Sequence, residues 1–186
     1  MKKLIVIGNK PIDHDMSFID EEFDYILRIN RMINFGNTGN RIDGLFLGAY
    51  TDFKKVYKGG EYRQWFMSVK DIYLTDQIKR NFRNWNEYIT KIQWENSKTW
   101  DFIKAKKELG CNATSSICTL WTIINDPSFT NEYEIWFTGL DIEREDMMKI
   151  GDPWKNTGHN NAGKGETDFL KNSINQGILK YLSDEN

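Results

Sequence analysis

The chain has 186 residues, 25 of them basic and 27 acidic, with 14% aromatic side chains and two cysteines. A charge balance this even gives no basic footprint for nucleic acid or an anionic membrane surface. No apolar run approaches the ~20 residues of a membrane span.

One domain, residues 1–186, accommodates this length around a single core. Cys111 and Cys118 belong to no paired motif or cysteine framework, which suits free thiols in a reducing compartment. After Met1-Lys2-Lys3 the chain goes straight into Leu4-Ile5-Val6-Ile7-Gly8, an apolar run too short for a signal sequence. A cytoplasmic protein is expected.

Leu4 to Ile7 is continuous, β-branched and closed by Gly8-Asn9-Lys10-Pro11, the pattern of a buried parallel strand entering a loop. Tyr25 to Asn30 and Gly44 to Gly48 read as the second and third strands, with the turn-rich 34–40 loop between them. Phe66 to Val69 and Ile72 to Leu74 are brief strand-like runs. Asp76 to Trp94 gives no clear pattern. A helix is expected from Trp100 to Leu109, capped by Thr99 or Ser97 and stopped by Gly110. Ile117, Leu120, Trp121 and Ile124 have the i, i+3, i+4, i+7 spacing of a helix face over 114–124. Ile135 to Thr138 reads as a late strand and Glu166 to Leu182 as a terminal helix. The expected fold is therefore α/β: a single Rossmann-like domain with a mostly parallel sheet flanked by helices. Ligands of such sheets bind outside the carboxyl ends of the strands.

Several segments carry candidate chemistry. Gly8-Asn9-Lys10-Pro11 is neither a dinucleotide fingerprint nor a Walker loop; it is a tight turn or a source of donors for a phosphate. Thr114-Ser115-Ser116 at a helix start is an N-cap or, with the helix dipole behind it, an anion site. His159 lies in the polar run Asn156-Thr157-Gly158-His159-Asn160-Asn161, as a solvated side chain or a general base. Asp13-His14-Asp15 looks superficially like a metal-binding Asp-x-Asp and is read as a solvated acidic turn. No other cluster has metal-ligand spacing.

Taken in order, Leu4 to Asn9, Phe23 to Asn30, Ala113 to Ser116, Ile135 to Asp141 and Gly158 to Asn161 followed by Phe169-Leu170-Lys171 resemble sialyltransferases. The likeness is to the bacterial enzymes of glycosyltransferase family 42, with segments like the animal sialylmotifs. It implies a GT-A-like nucleotide-sugar domain that transfers sialic acid from CMP-sialic acid to a glycan hydroxyl, with inversion and without a metal or other cofactor. It also suggests a place in polysaccharide biosynthesis and is compatible with a homo-oligomer. By the resemblance, Gly8, Asn9, Asn30, Thr114, Ser115, Ser116, Gly139 and Asp141 would serve the donor, and His159 would be the base.

The chain departs from that pattern in three places. Gly48 stands where the family usually has an asparagine. No tyrosine lies between Asp141 and His159, where the family's lid supplies hydroxyls to the leaving phosphate; Lys149, Lys155 or Lys164 would take over that work. The sequence also ends at 181–186 without the basic or amphipathic tail common in such enzymes. Two alternatives remain open: a transferase using another nucleotide sugar, with a metal at Asp13 and Asp15, and a non-catalytic nucleotide- or sugar-binding relative.

Overall fold

A run of strand that is apolar at every position can only be stable if both of its faces are covered, and Leu4 to Ile7 of β1 (Lys2–Ile7) meets that condition. Leu4 and Val6 pack into one hydrophobic cluster, while Ile5 and Ile7 pack into another on the opposite face. The computed structural model describes residues 1–48, 66–80, 82–86, 88–142 and 162–183. Within them β1 is joined by β2 (Tyr25–Ile29), β3 (Gly44–Leu47), β4 (Asp71–Thr75), β5 (Lys98–Trp100), β6 (Tyr133–Thr138) and β7 (Leu179–Tyr181). The sheet order is β5-β4-β3-β2-β1-β6-β7, and all six pairings are parallel. The fold is the Rossmann-like, single-domain α/β architecture expected.

The order matters for function. From β1 to β5 the chain winds steadily outward, then returns to place β6 on the other side of β1. Connections leaving β1 and β6 therefore diverge, and the gap between them is the topological switch point at which such sheets bind ligands.

Helices Phe102–Leu109, Ser115–Ile124 and Ala162–Asn175 contribute to the larger cluster, with Ala105, Ile117, Leu120, Ile123 and Leu170 against Leu27, Phe46, Ile135 and Phe137. Aromatic rings fill its β3 to β5 end: Tyr73 stacks on Trp100 at 4.2 Å and Phe46 on Phe102 at 4.7 Å between centroids. Two clusters cover the other face, one built on Ile19 and Phe23 and one on Phe66, Trp85 and Trp94.

Several expectations need correction. Phe66 to Val69 is not a strand; Phe66 and Met67 are helical, and Phe66 and Val69 are drawn into the core beside β4. The helix expected from Trp100 begins at Phe102. Its cap is Asp101, whose carboxylate accepts the Lys104 N–H at 2.9 Å, because residues 98–100 are committed to pairing with Tyr73 to Thr75. Gly110 ends it with φ 65°. The terminal helix stops at Asn175, and Leu179 to Tyr181 add β7 alongside Ile135 to Phe137. The unassigned stretch holds helices Asp76–Lys79, Phe82–Trp85 and Lys91–Asn96, the last with a Thr90/Gln93 capping box.

The crossover from β2 to β3 uses no helix. Arg28, 1% exposed, holds it from β2. Its guanidinium donates to the carbonyls of Arg41, Thr38 and Gly39 and to the Thr38 hydroxyl, at 2.8 to 3.0 Å. Charge-assisted bonds of this kind replace the internal ladder that a helix would have supplied.

Candidate functional site

At the carboxyl end of β1 the backbone turns at Gly8, and at the end of β6 it turns at Gly139 with φ 65°. A Cβ on Gly8 would stand 2.3 Å from the Gly139 carbonyl oxygen, and one on Gly139 would stand 2.9 Å from Asn34 Nδ2 and 3.1 Å from the Gly8 oxygen. Two backbones that approach this closely at the switch point exclude side chains from both positions. Lys10 N–H donates to the Gly139 carbonyl at 2.8 Å and Gly8 N–H to that of Thr138 at 2.9 Å.

Asn34 is the knot of this edge. It is 2% exposed; its amide donates to the carbonyls of Gly8 (3.0 Å) and Lys10 (2.8 Å), and its oxygen accepts the Ile12 N–H at 2.9 Å. Sequence reading treated it as one more turn former. Asn9 reaches from β1 to the end of β2, donating to the Ile29 carbonyl at 3.2 Å and accepting from Ile33 N–H at 3.4 Å.

Asn30 has φ 47°, a left-handed conformation that asparagine tolerates better than most residues. Its oxygen accepts the Gly48 N–H at 2.6 Å. A Cβ at position 48 would lie 2.5 Å from the Phe46 ring, so the asparagine expected there has no room. The amide nitrogen of Asn30 makes no hydrogen bond among the described residues.

Helix Ser115–Ile124 leads through Asn125 to Glu132 into the start of β6. It therefore runs against the strands, with its first turn toward their carboxyl ends. Thr114 occupies the N-cap position in an extended conformation, yet its hydroxyl makes no cap bond. The hydroxyls of Thr114, Ser115 and Ser116 are all without a partner among the described residues. An ordinary capping role is thus not what these hydroxyls serve.

The Thr114 N–H itself donates to Glu166, a carboxylate 1% exposed on helix Ala162–Asn175. Sequence reading gave Glu166 no role. Beside it, burial pushes the Cys118 thiol up to about 12. Burial, reinforced by the Glu166 charge, also raises Cys111. Both thiols are free and are poor nucleophiles in this setting.

Asp141 is exposed just beyond β6. His159, Lys149 and Lys155 lie outside the described residues, as does the side chain of Lys164 in the first turn of helix Ala162–Asn175. In the acidic turn, Asp15 accepts the Ser17 N–H at 2.8 Å, a bond that lowers its carboxyl below the usual range. Asp13 is fully exposed and 3.5 Å from His14 Nδ1. Among the described residues no group of three or more His, Cys, Asp or Glu could hold a metal ion, and no helix is long and apolar enough to cross a membrane.

The geometry so far defines a crevice at the switch point of an α/β sheet, with amides and hydroxyls at its rim. No family model and no curated protein matches the sequence. Solved structures do match: the sialyltransferase CstII from Campylobacter jejuni in complex with cytidine-5'-monophosphate aligns over 100% of this chain and 82% of its own, with TM-score 0.56 and 16% identity. The same enzyme in complex with CMP-3FNeuAc aligns over 98% and 81%, with TM-score 0.54 and 17% identity. The chain has the fold of that sialyltransferase along its whole length.

Proposed function

We propose that this protein is an inverting glycosyltransferase of the sialyltransferase type, moving sialic acid from CMP-sialic acid to a glycan hydroxyl. The observation that carries the reading is the unengaged hydroxyl trio Thr114 to Ser116 at a helix N-terminus, in a fold shared with an enzyme solved with CMP and CMP-3FNeuAc. Backbone N–H groups, hydroxyls and a helix dipole together suit a phosphate. The free amide of Asn30 adds a donor for ribose or base. Gly8 and Gly139 keep the crevice floor free of side chains, and Asn9 and Asn34 hold its loops in place before the donor arrives.

In the proposed step, the acceptor oxygen attacks the anomeric carbon from the face opposite the phosphate. The new C–O bond forms as the bond to the phosphate oxygen breaks, CMP departs with that electron pair, and His159 takes the acceptor's proton. General-base help of this kind contributes roughly 10²–10⁴ in rate. A lysine among Lys149, Lys155 and Lys164 would stabilise the departing phosphate as a point charge. No step uses a metal.

Thermal-shift measurements against CMP, CDP, UDP, GDP and dTDP test the donor, since a ligand that binds only the folded state raises its melting temperature. A shift with CMP supports the reading; a shift with UDP alone sinks the donor assignment. Donor hydrolysis or transfer by the wild type, lost in His159→Ala and unaffected by EDTA, supports the mechanism. Equal turnover by His159→Ala removes the base, and loss of turnover in EDTA removes metal independence and points to Asp13 and Asp15.

A further inference from the structure

Away from the crevice, helices Phe102–Leu109, Ser115–Ile124 and Ala162–Asn175 leave a groove of about 340 Å³ between them, within the ~300–1,000 Å³ range of small-molecule sites. We propose that this groove binds a neutral saccharide unit.

Two half-buried aromatic rings, Trp121 and Phe169, line the groove while packing on the main core. Glu108, Asp168 and Asn172 line it from exposed positions. Among the described residues their side chains make no hydrogen bond or ion pair, and the Trp121 indole N–H is likewise without a partner. Ser173 also lines the groove; it is only 6% exposed, and its hydroxyl has no partner among the described residues. Its hydroxyl therefore opens on the groove and is available to a ligand that enters it.

The polar inventory selects the ligand. The carboxylates of Glu108 and Asp168 only accept, the indole of Trp121 only donates, and the amide of Asn172 and the hydroxyl of Ser173 do both. Sugar hydroxyls both donate and accept, and can answer all of them, while the apolar C–H face of a pyranose ring lies against Trp121 or Phe169. An organic ammonium would leave the indole N–H unanswered. Phosphate or sialate would be repelled by the two carboxylates, with no lysine or arginine among the described lining residues to offset them. Among the described residues, none of those assigned to the donor crevice lines this groove. Its use as a rest for an outlying unit of the acceptor relies on the transferase reading; saccharide binding itself does not.

Titration of the ¹⁵N-labelled full chain with lactose, maltose and chitobiose tests the proposal. The expected result is saturable movement of one indole N–H resonance, assigned to Trp121 by its loss in Trp121→Phe. Movement should persist in saturating CMP, and the affinity should fall at least tenfold in the Glu108→Ala/Asp168→Ala double variant and in Ser173→Val. The two carboxylates are exposed, so the double variant should keep the wild-type melting temperature. The proposal is overturned if none of the three sugars gives saturable movement, if the double variant binds them undiminished, if CMP abolishes binding, or if spermidine rather than a sugar saturates the site. Failure of CMP to bind, with sugar binding intact, would count against the transferase reading alone.

Discussion

The two edges of the sheet both carry buried polar side chains, but they use them in opposite ways. At the amino edge, ionisable groups answer one another. The Tyr25 hydroxyl donates to Asp71 at 2.9 Å and lies 3.1 Å from that of Tyr73, and Lys98 pairs with Asp71 at 3.0 Å. Nearby, Arg41 pairs with Asp43 at 2.8 Å, and Asp43 accepts the Ile26 N–H at 3.0 Å. At the carboxyl edge the tethers are neutral amides, Asn9, Asn30 and Asn34, aimed at backbone, and the hydroxyls of Thr114 to Ser116 are left unengaged. A closed network fixes structure. An edge that spends its amides on loop geometry and keeps its hydroxyls available has what the proposed donor site requires.

The largest effect expected from breaking this contrast is at Asn34. Asn34→Ala strips partners from two carbonyls and one N–H in buried surroundings; at roughly 1–3 kcal/mol for each unsatisfied group, with some relief from water, a loss of about 3 kcal/mol should appear in urea unfolding. Gly139→Ala comes next. Its positive φ and its contact with Asn34 Nδ2 should cost about 2 kcal/mol and weaken CMP binding as well. An unchanged unfolding midpoint would show that the β1 to β6 approach is looser than these distances.

The amino edge should reveal itself through pH. Burial, with the neighbouring Tyr73 and Asp71, raises the Tyr25 hydroxyl well above its ordinary 10, and burial raises Tyr73 too. A raised folded-state value means stability fully present below pH 10 and declining as the unfolded tyrosine ionises above it. The slope is about 1.4 kcal/mol per pH unit for each such group. Lys98, held up by Asp71 and Tyr73 against the opposing effect of burial, adds to the same alkaline decline. Tyr25→Phe should therefore flatten stability against pH between 10 and 11; an unaltered slope would mean that Tyr25 is not the buried titrating group.

The smallest stability effect belongs to Thr114→Val. Since the Thr114 hydroxyl makes no cap bond, stability should change by no more than about 0.5 kcal/mol, while CMP affinity falls about tenfold. A marked loss of stability with CMP affinity preserved would return Thr114 to an ordinary capping role.

The sequence revealed the parts of the molecule whose physics is local. β1, β2, β3 and β6 were legible because each holds a short continuous apolar run, Leu4 to Ile7, Tyr25 to Leu27, Leu45 to Leu47 and Ile135 to Phe137, as strands covered on both faces do, and Gly110 because a helix stop needs a left-handed residue. β5 and β7 were not. Lys98-Thr99-Trp100 read as a helix entrance and Leu179-Lys180-Tyr181 as helix continuation, since three-residue strands gain their stability from the neighbouring ladder rather than from their own pattern. The site divides in the same way. Gly8, Asn9, Asn30 and Gly139 fall at strand ends, and Thr114 at a helix start, that periodicity locates. Asn34 and Glu166 act on partners 26 and 52 residues away, and nothing in their immediate neighbours announces it.

The two strands that sequence reading missed also bear on how the molecule meets its own copies. Each outer strand of the described sheet is three residues long, and each carries a lysine, Lys98 or Lys180. Short, charged margins offer little backbone for another chain to zip onto. Self-association by strand addition is thereby discouraged, and copies of this protein that assemble would meet through helix or loop surfaces.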